Sequence, residues 1–114
     1  MIEVQGKNNI FIFAEYSFSP VPDISNCVYI YARKEGDGYF PVYIGYTERP
    51  FNIRYQEHEA DGKNLCAGFE GANCLLIYSA NHGAMPFSKN YLQSVEKELI
   101  AKYEPVCNDY IPSS

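Results

Sequence analysis

Two short runs rich in β-branched and aromatic residues, Cys27-Val28-Tyr29-Ile30-Tyr31 and Val42-Tyr43-Ile44-Gly45-Tyr46, constrain the fold of this chain more than any other feature. Glu35-Gly36-Asp37-Gly38 between them has the composition of a hairpin turn. The expected strands cover residues 27–33 and 40–46. Alternation puts Tyr29 and Tyr31 on one face of the first, and sets Tyr43 opposite Val42 and Ile44 on the second. A helix follows over residues 50–59, with Pro50 in its first turn, Thr47 placed to cap it and Asp61-Gly62 ending it.

The remaining segments read more simply. Residues 2–4 and 10–13 flank Gly6-Lys7-Asn8-Asn9 and form an N-terminal hairpin. Residues 17–25, with Pro20 and Pro22, make an extended linker onto the core, and residues 68–71 mark a loop after a short helical turn. Cys74-Leu75-Leu76-Ile77-Tyr78 is a continuous apolar run suited to a central strand. A last helix starts at Ser88, a natural cap, and runs to residue 103 before Pro105 stops it. At 114 residues the chain supports one core. It divides into a hairpin and Pro-containing linker (1–26), the main domain (27–109) and a C-terminal tail (110–114).

Composition narrows the function classes. No apolar stretch approaches a membrane span, and the N-terminus lacks the basic-then-apolar pattern of a signal peptide, so a soluble cytoplasmic protein with no membrane role is expected. Cys27, Cys66, Cys74 and Cys107 have irregular spacing and no CxxC pair, and are expected to be buried free thiols. With His58 and His82 they complete no zinc pattern. The net charge of −5 opposes a nucleic-acid grip unless positive charge is concentrated on one face. Arg33, Lys34, Arg49, Arg54 and Lys63 could form that face, although Glu48, Glu57 and Glu59 fall in the same stretch.

Glu96 is the sharpest single residue. Leu92, Val95, Leu99, Ile100 and Tyr103 form an apolar stripe on the last helix, and Glu96 falls inside it. A carboxylate there must reach an edge or meet a cation. Arg54 and His58 share a helix face with Phe51 and Tyr55, and an isolated pair of this kind is ordinarily an exposed arginine and a half-buried histidine.

Taken in order, these pieces resemble the GIY-YIG nuclease family. Cys27-Val28-Tyr29 corresponds to the family's Gly-Ile-Tyr, with cysteine where glycine is usual, and Tyr43-Ile44-Gly45 is an intact Tyr-Ile-Gly. Thr47, Arg54 and His58 follow, then Glu96 with Leu99-Ile100, Pro105 and Asn108, so the likeness spans residues 27–108. The loop between the two tyrosines is slightly longer than is typical of the family. The resemblance implies an α/β fold with a small, mainly antiparallel three-stranded central sheet flanked by helices, the N-terminal hairpin being an extension.

It also implies hydrolysis of phosphodiester bonds, with DNA the expected substrate. Glu96 would bind Mg²⁺ or Mn²⁺ and Arg54 would contact the scissile phosphate. His58 would take a proton or orient the nucleophile. Tyr29 and Tyr43 would align the attacking water, Gly45 would allow close approach of backbone and substrate, and Asn108 would tie the C-terminal segment to the core. Arg33, Lys34, Arg49 and Lys63 would contact nucleic acid, and a separate targeting protein could supply specificity. Two other readings stand beside this one: a GIY-YIG-fold module that binds but cleaves weakly or not at all, and an interaction domain whose tyrosines serve only the core.

Overall fold

The apolar run Cys74–Ser79 is the middle strand of the sheet, buried from both sides, which explains its lack of alternation. In the computed structural model, which describes residues 1–109, the strands are β1 (Ile2–Gln5), β2 (Ile10–Tyr16), β3 (Cys27–Glu35), β4 (Gly38–Thr47) and β5 (Cys74–Ser79). The helices are α1 (Phe51–Asp61), α2 (Lys63–Phe69) and α3 (Lys89–Tyr103), and a 3-10 turn covers Val106–Asp109. The tail expected over residues 110–114 lies outside the described residues.

The sheet order is β1-β2-β5-β3-β4, antiparallel throughout. The sheet therefore has five strands, not the expected three. The N-terminal hairpin is part of it, because Ala14, Glu15 and Tyr16 of β2 pair with Ile77, Leu76 and Leu75. Without β2, the outer edge of β5 would present unpaired N–H and C=O groups. The hairpin is also fastened to α3. The Glu98 carboxylate accepts the Asn8 and Asn9 backbone N–H groups at 2.9 and 3.0 Å, and the Tyr103 hydroxyl donates to the Gln5 carbonyl.

Helices cover both faces. On one, Leu92, Val95 and Leu99 of α3 pack on Val28, Ile30, Ile44, Leu76 and Phe13. On the other, Phe51 of α1 and Cys66 and Ala67 of α2 pack on Tyr29, Tyr31, Tyr43, Leu75 and Ile77. Residues 17–25 have no regular structure but deliver Phe18, Val21 and Ile24 to this second layer. A bulge between Tyr31 and Ala32 breaks the β3–β4 register, so Tyr31 opposes Tyr43 while Ala32 opposes Pro41. Val42 consequently packs in the same layer as Tyr43, rather than opposite it, while Ile44 faces α3.

Three local expectations need correction. Thr47 does not cap α1, whose cap position is Pro50 with no side-chain bond. Its hydroxyl instead accepts the Arg49 N–H and donates to the Arg49 carbonyl, folding a turn before the helix. Residues 63–69 form a full short helix entered from Gly62, whose φ of 83° suits glycine. Cys66 and Cys107 are bonded to each other rather than free. The fold brings α2 and the 3-10 turn together across 41 residues, at a Cα separation of 5.8 Å that a disulfide spans, and sequence spacing carries no sign of this. Cys27 and Cys74 are buried free thiols, and burial pushes the Cys27 thiol up to about 12.

Candidate active site

Strand β4 lies at the edge of the sheet, and two residues singled out in the sequence, Asn108 and Glu96, come to that edge. Asn108 Oδ1 accepts the Ile44 N–H at 2.9 Å and its Nδ2 donates to the Ile44 carbonyl at 2.7 Å, imitating a neighbouring strand. Two residues on, the Tyr46 N–H faces the Glu96 carboxylate and acts against the rise in its pKa. Glu96 thus reaches the sheet edge from α3, on one face, while Arg54 comes from α1 on the other. Both line one cleft of about 380 Å³, together with Tyr29, Tyr43, Gly45, Thr47 and Arg49.

The electrostatics of the cleft follow from partial burial. Burial pushes the Glu96 carboxyl above its ordinary 4.5, with Lys97 and Arg54 acting against the shift. Arg54 Nη1 donates to Glu57 Oε1 at 3.1 Å, and Arg49 pairs with the same oxygen. Glu57 therefore holds both guanidinium groups at the cleft. Burial raises Tyr29 well above the usual phenol value and Tyr43 to about 12, while Arg54 pulls both down.

His58 is fully buried behind Tyr29. Its Nδ1 lies 2.9 Å from Asp61 Oδ2 and its Nε2 lies 2.6 Å from the Tyr29 hydroxyl. A carboxylate only accepts, so Nδ1 carries the proton and Nε2 accepts from Tyr29. Burial lowers the His58 pKa below 6.5, partly offset by Asp61. The result is a line of hydrogen bonds, Asp61 to His58 to Tyr29, ending in the cleft. The Asp61 link is missing from the sequence reading, although its spacing of three from His58 on one helix was a usable signal.

Gly45 has a definite steric role. It pairs across the strands with Tyr29, and a Cβ there would meet the Tyr29 hydroxyl at 2.5 Å. The ring of Tyr29 closely approaches this glycine, which also lines the cleft. Cys27 is buried in the tyrosine layer with its thiol toward the Ile24 carbonyl.

The expected basic face is only partly assembled. Arg49 and Arg54 line the cleft. Arg33 and Lys34 lie toward the other end of β3, some 13–17 Å from Tyr29 at a strand's rise. Arg33 pairs there with Glu35 and the Glu70 carbonyl, and Lys34 with Glu15. Lys63 donates to the Cys107 and Asn108 carbonyls at 3.1 Å and sits over the Tyr43 ring. Among the described residues no group of three or more His, Cys, Asp or Glu could hold a metal, and no helix is long and apolar enough to cross a membrane. Family models, curated proteins and solved structures all yield no match to this chain.

Proposed function

We propose that the cleft is the active site of a metal-dependent endonuclease of the GIY-YIG type, hydrolysing phosphodiester bonds in DNA. One observation carries this reading: Glu96 and Arg54, held on helices on opposite faces of the sheet, meet at the β4 edge in a cleft shared with Tyr29 and Tyr43.

The cleft fits Mg²⁺ or Mn²⁺. The Glu96 carboxylate is disfavoured by burial and faces the cleft with a single backbone donor, so a cation there would relieve it. One carboxylate completed by substrate phosphate and water is an ordinary Mg²⁺ arrangement. When bound, the ion supplies Lewis-acid neutralisation of phosphate charge.

The protein's own groups handle the proton and the remaining charge. Tyr29 takes a proton from the attacking water while its own passes to His58 Nε2. The imidazolium formed is balanced by Asp61. This relay removes the need for a free phenolate, which burial makes unfavourable. Tyr43 orients the water, Arg54 stabilises the charge building on the phosphate, Arg49 contacts a flanking phosphate, and solvent protonates the leaving oxygen. Cytoplasmic residence belongs to the same proposal, and the Cys66–Cys107 disulfide, a bond of oxidising compartments, counts against it.

Nicking of supercoiled plasmid with Mg²⁺ or Mn²⁺ tests the reading. Arg54→Lys keeps the charge but loses the forked donor geometry, and the rate should fall on the order of a hundredfold or more, about 3 kcal/mol. An unchanged rate would remove Arg54 from the mechanism. DNA binding without cleavage by the wild type would favour the non-catalytic binding module.

A further inference from the structure

Arg49 and Arg54 reach the cleft from different elements, yet they share one counter-ion. The backbone of Arg49 is fixed by Thr47, whose hydroxyl accepts its N–H and donates to its carbonyl. Arg54 stands near the start of α1. Three residues further along that helix, Glu57 Oε1 accepts from Arg54 Nη1 at 3.1 Å and from Arg49 Nη2. Both arginines line the cleft, whereas Glu57 does not. The carboxylate therefore stands behind the two cations and leaves the cleft side of each guanidinium to a ligand.

Stability does not explain this arrangement. The side chains of Arg49 and Glu57 are 58% and 39% exposed, and ion pairs at such exposure contribute little to folding. Geometry explains it better. Two guanidinium groups side by side repel each other, and the long Arg49 side chain would otherwise turn out to solvent. A carboxylate bonded to both offsets that repulsion and orders the pair before a ligand arrives. The same bonds, that of Arg49 first, hold the Glu57 carboxyl below its usual 4.5, so it stays charged near neutral pH.

We infer that Glu57 is a positioning residue that makes Arg49 and Arg54 a single clamp for consecutive phosphates of one strand. The inference rests on the reading of the cleft as a nuclease site. Among the described residues, Glu57 is the one partner of the Arg49 side chain, so without it nothing keeps that guanidinium at the cleft. The role carries an effect opposite in sign to simple charge. Glu57→Gln removes an anion beside a phosphate site, and Coulomb attraction alone would then tighten DNA binding. Loss of the clamp loosens it.

Binding of a short DNA duplex in EDTA, measured over a series of salt concentrations and paired with thermal melts, tests this without any cleavage. Glu57→Gln should bind several-fold more weakly than wild type with melting unchanged. Its plot of log affinity against log salt should lose about one unit of slope, as when one phosphate contact is removed. Arg49→Ala should do the same in wild type and add nothing in the Glu57→Gln background, since the two residues act as one. Tighter or unchanged binding by Glu57→Gln overturns the inference, as does the absence of duplex binding by wild type. Costs of the two substitutions that simply add overturn it too. So does weaker binding matched by a lower melting temperature, because Glu57 then serves the fold. Plasmid nicking with additive costs sinks the clamp alone, whereas coupled costs without nicking by wild type sink the nuclease reading alone.

Discussion

The two faces of the sheet are built from different chemistry. Under α3, Val28, Ile30, Ile44, Leu76, Leu92, Val95 and Leu99 make a layer of apolar side chains with nothing to satisfy. Under α1 and α2 the corresponding positions are Tyr29, Tyr31 and Tyr43, packed with Phe51 and the buried His58. A hydroxyl or imidazole taken from water costs free energy unless it is paired. The first face shows what this chain does when stability alone is at stake. On the second, partners are supplied selectively: Tyr29 has His58, while the Tyr31 hydroxyl has none. The contrast separates an apolar layer from one that carries polar groups, with the β4 edge as the seam where Glu96 comes round from one to the other.

The largest expected effect on stability falls on the apolar side. Leu99→Ala removes a fully buried side chain and should cost about 2–5 kcal/mol in urea denaturation. Its residual folded fraction should retain the cleft chemistry. A loss under 1 kcal/mol would show that α3 is not the anchor of that face.

Tyr29→Phe reverses the balance on the other face. It removes one oxygen and orphans the buried His58 Nε2, so stability should fall by about 1–3 kcal/mol while cleavage is abolished. Retained cleavage would break the relay and return Tyr29 to the core.

Much of this division was legible beforehand. The spacing of Leu92, Val95 and Leu99 exposed the apolar stripe, and Glu96 stood out because it interrupts it. Ser88 does cap α3, accepting the Tyr91 N–H, since an N-cap is a local bond that sequence carries. Nonlocal facts were not legible. The pairing of β2 with β5, the Cys66–Cys107 bond and the grip of Glu98 on the hairpin depend on where the chain returns in space. The scatter of the basic residues was hidden for the same reason. Arg33 and Arg49 flank one hairpin in sequence but occupy opposite ends of it.

Acid should separate the faces more gently. Burial keeps His58 below 6.5, so it is neutral and able to accept a proton near pH 7. Cleavage should hold a plateau there and decline as pH drops below 6.5 through the lower folded value. Stability moves the same way: below about 6.5 the unfolded chain binds the His58 proton more readily than the folded one, so protonation favours unfolding. The Glu96 carboxyl, raised by burial, adds to the acid limb of activity by losing its charge at a higher pH than an exposed glutamate. A rate–pH profile with no acid limb before the protein unfolds would remove both groups from the mechanism.

The central claim is that Glu96 crosses the sheet edge to hold a metal rather than to satisfy the Tyr46 N–H alone. Plasmid nicking in Mg²⁺ by Glu96→Gln, beside wild type and the exposed-residue control Lys97→Ala, tests it most directly. Glutamine keeps the side chain's shape and its acceptor oxygen for Tyr46, so the fold should stand. The account predicts nicking by wild type and Lys97→Ala and none by Glu96→Gln. Nicking by Glu96→Gln at the wild-type rate would contradict it and leave Glu96 as a plug for the β4 edge.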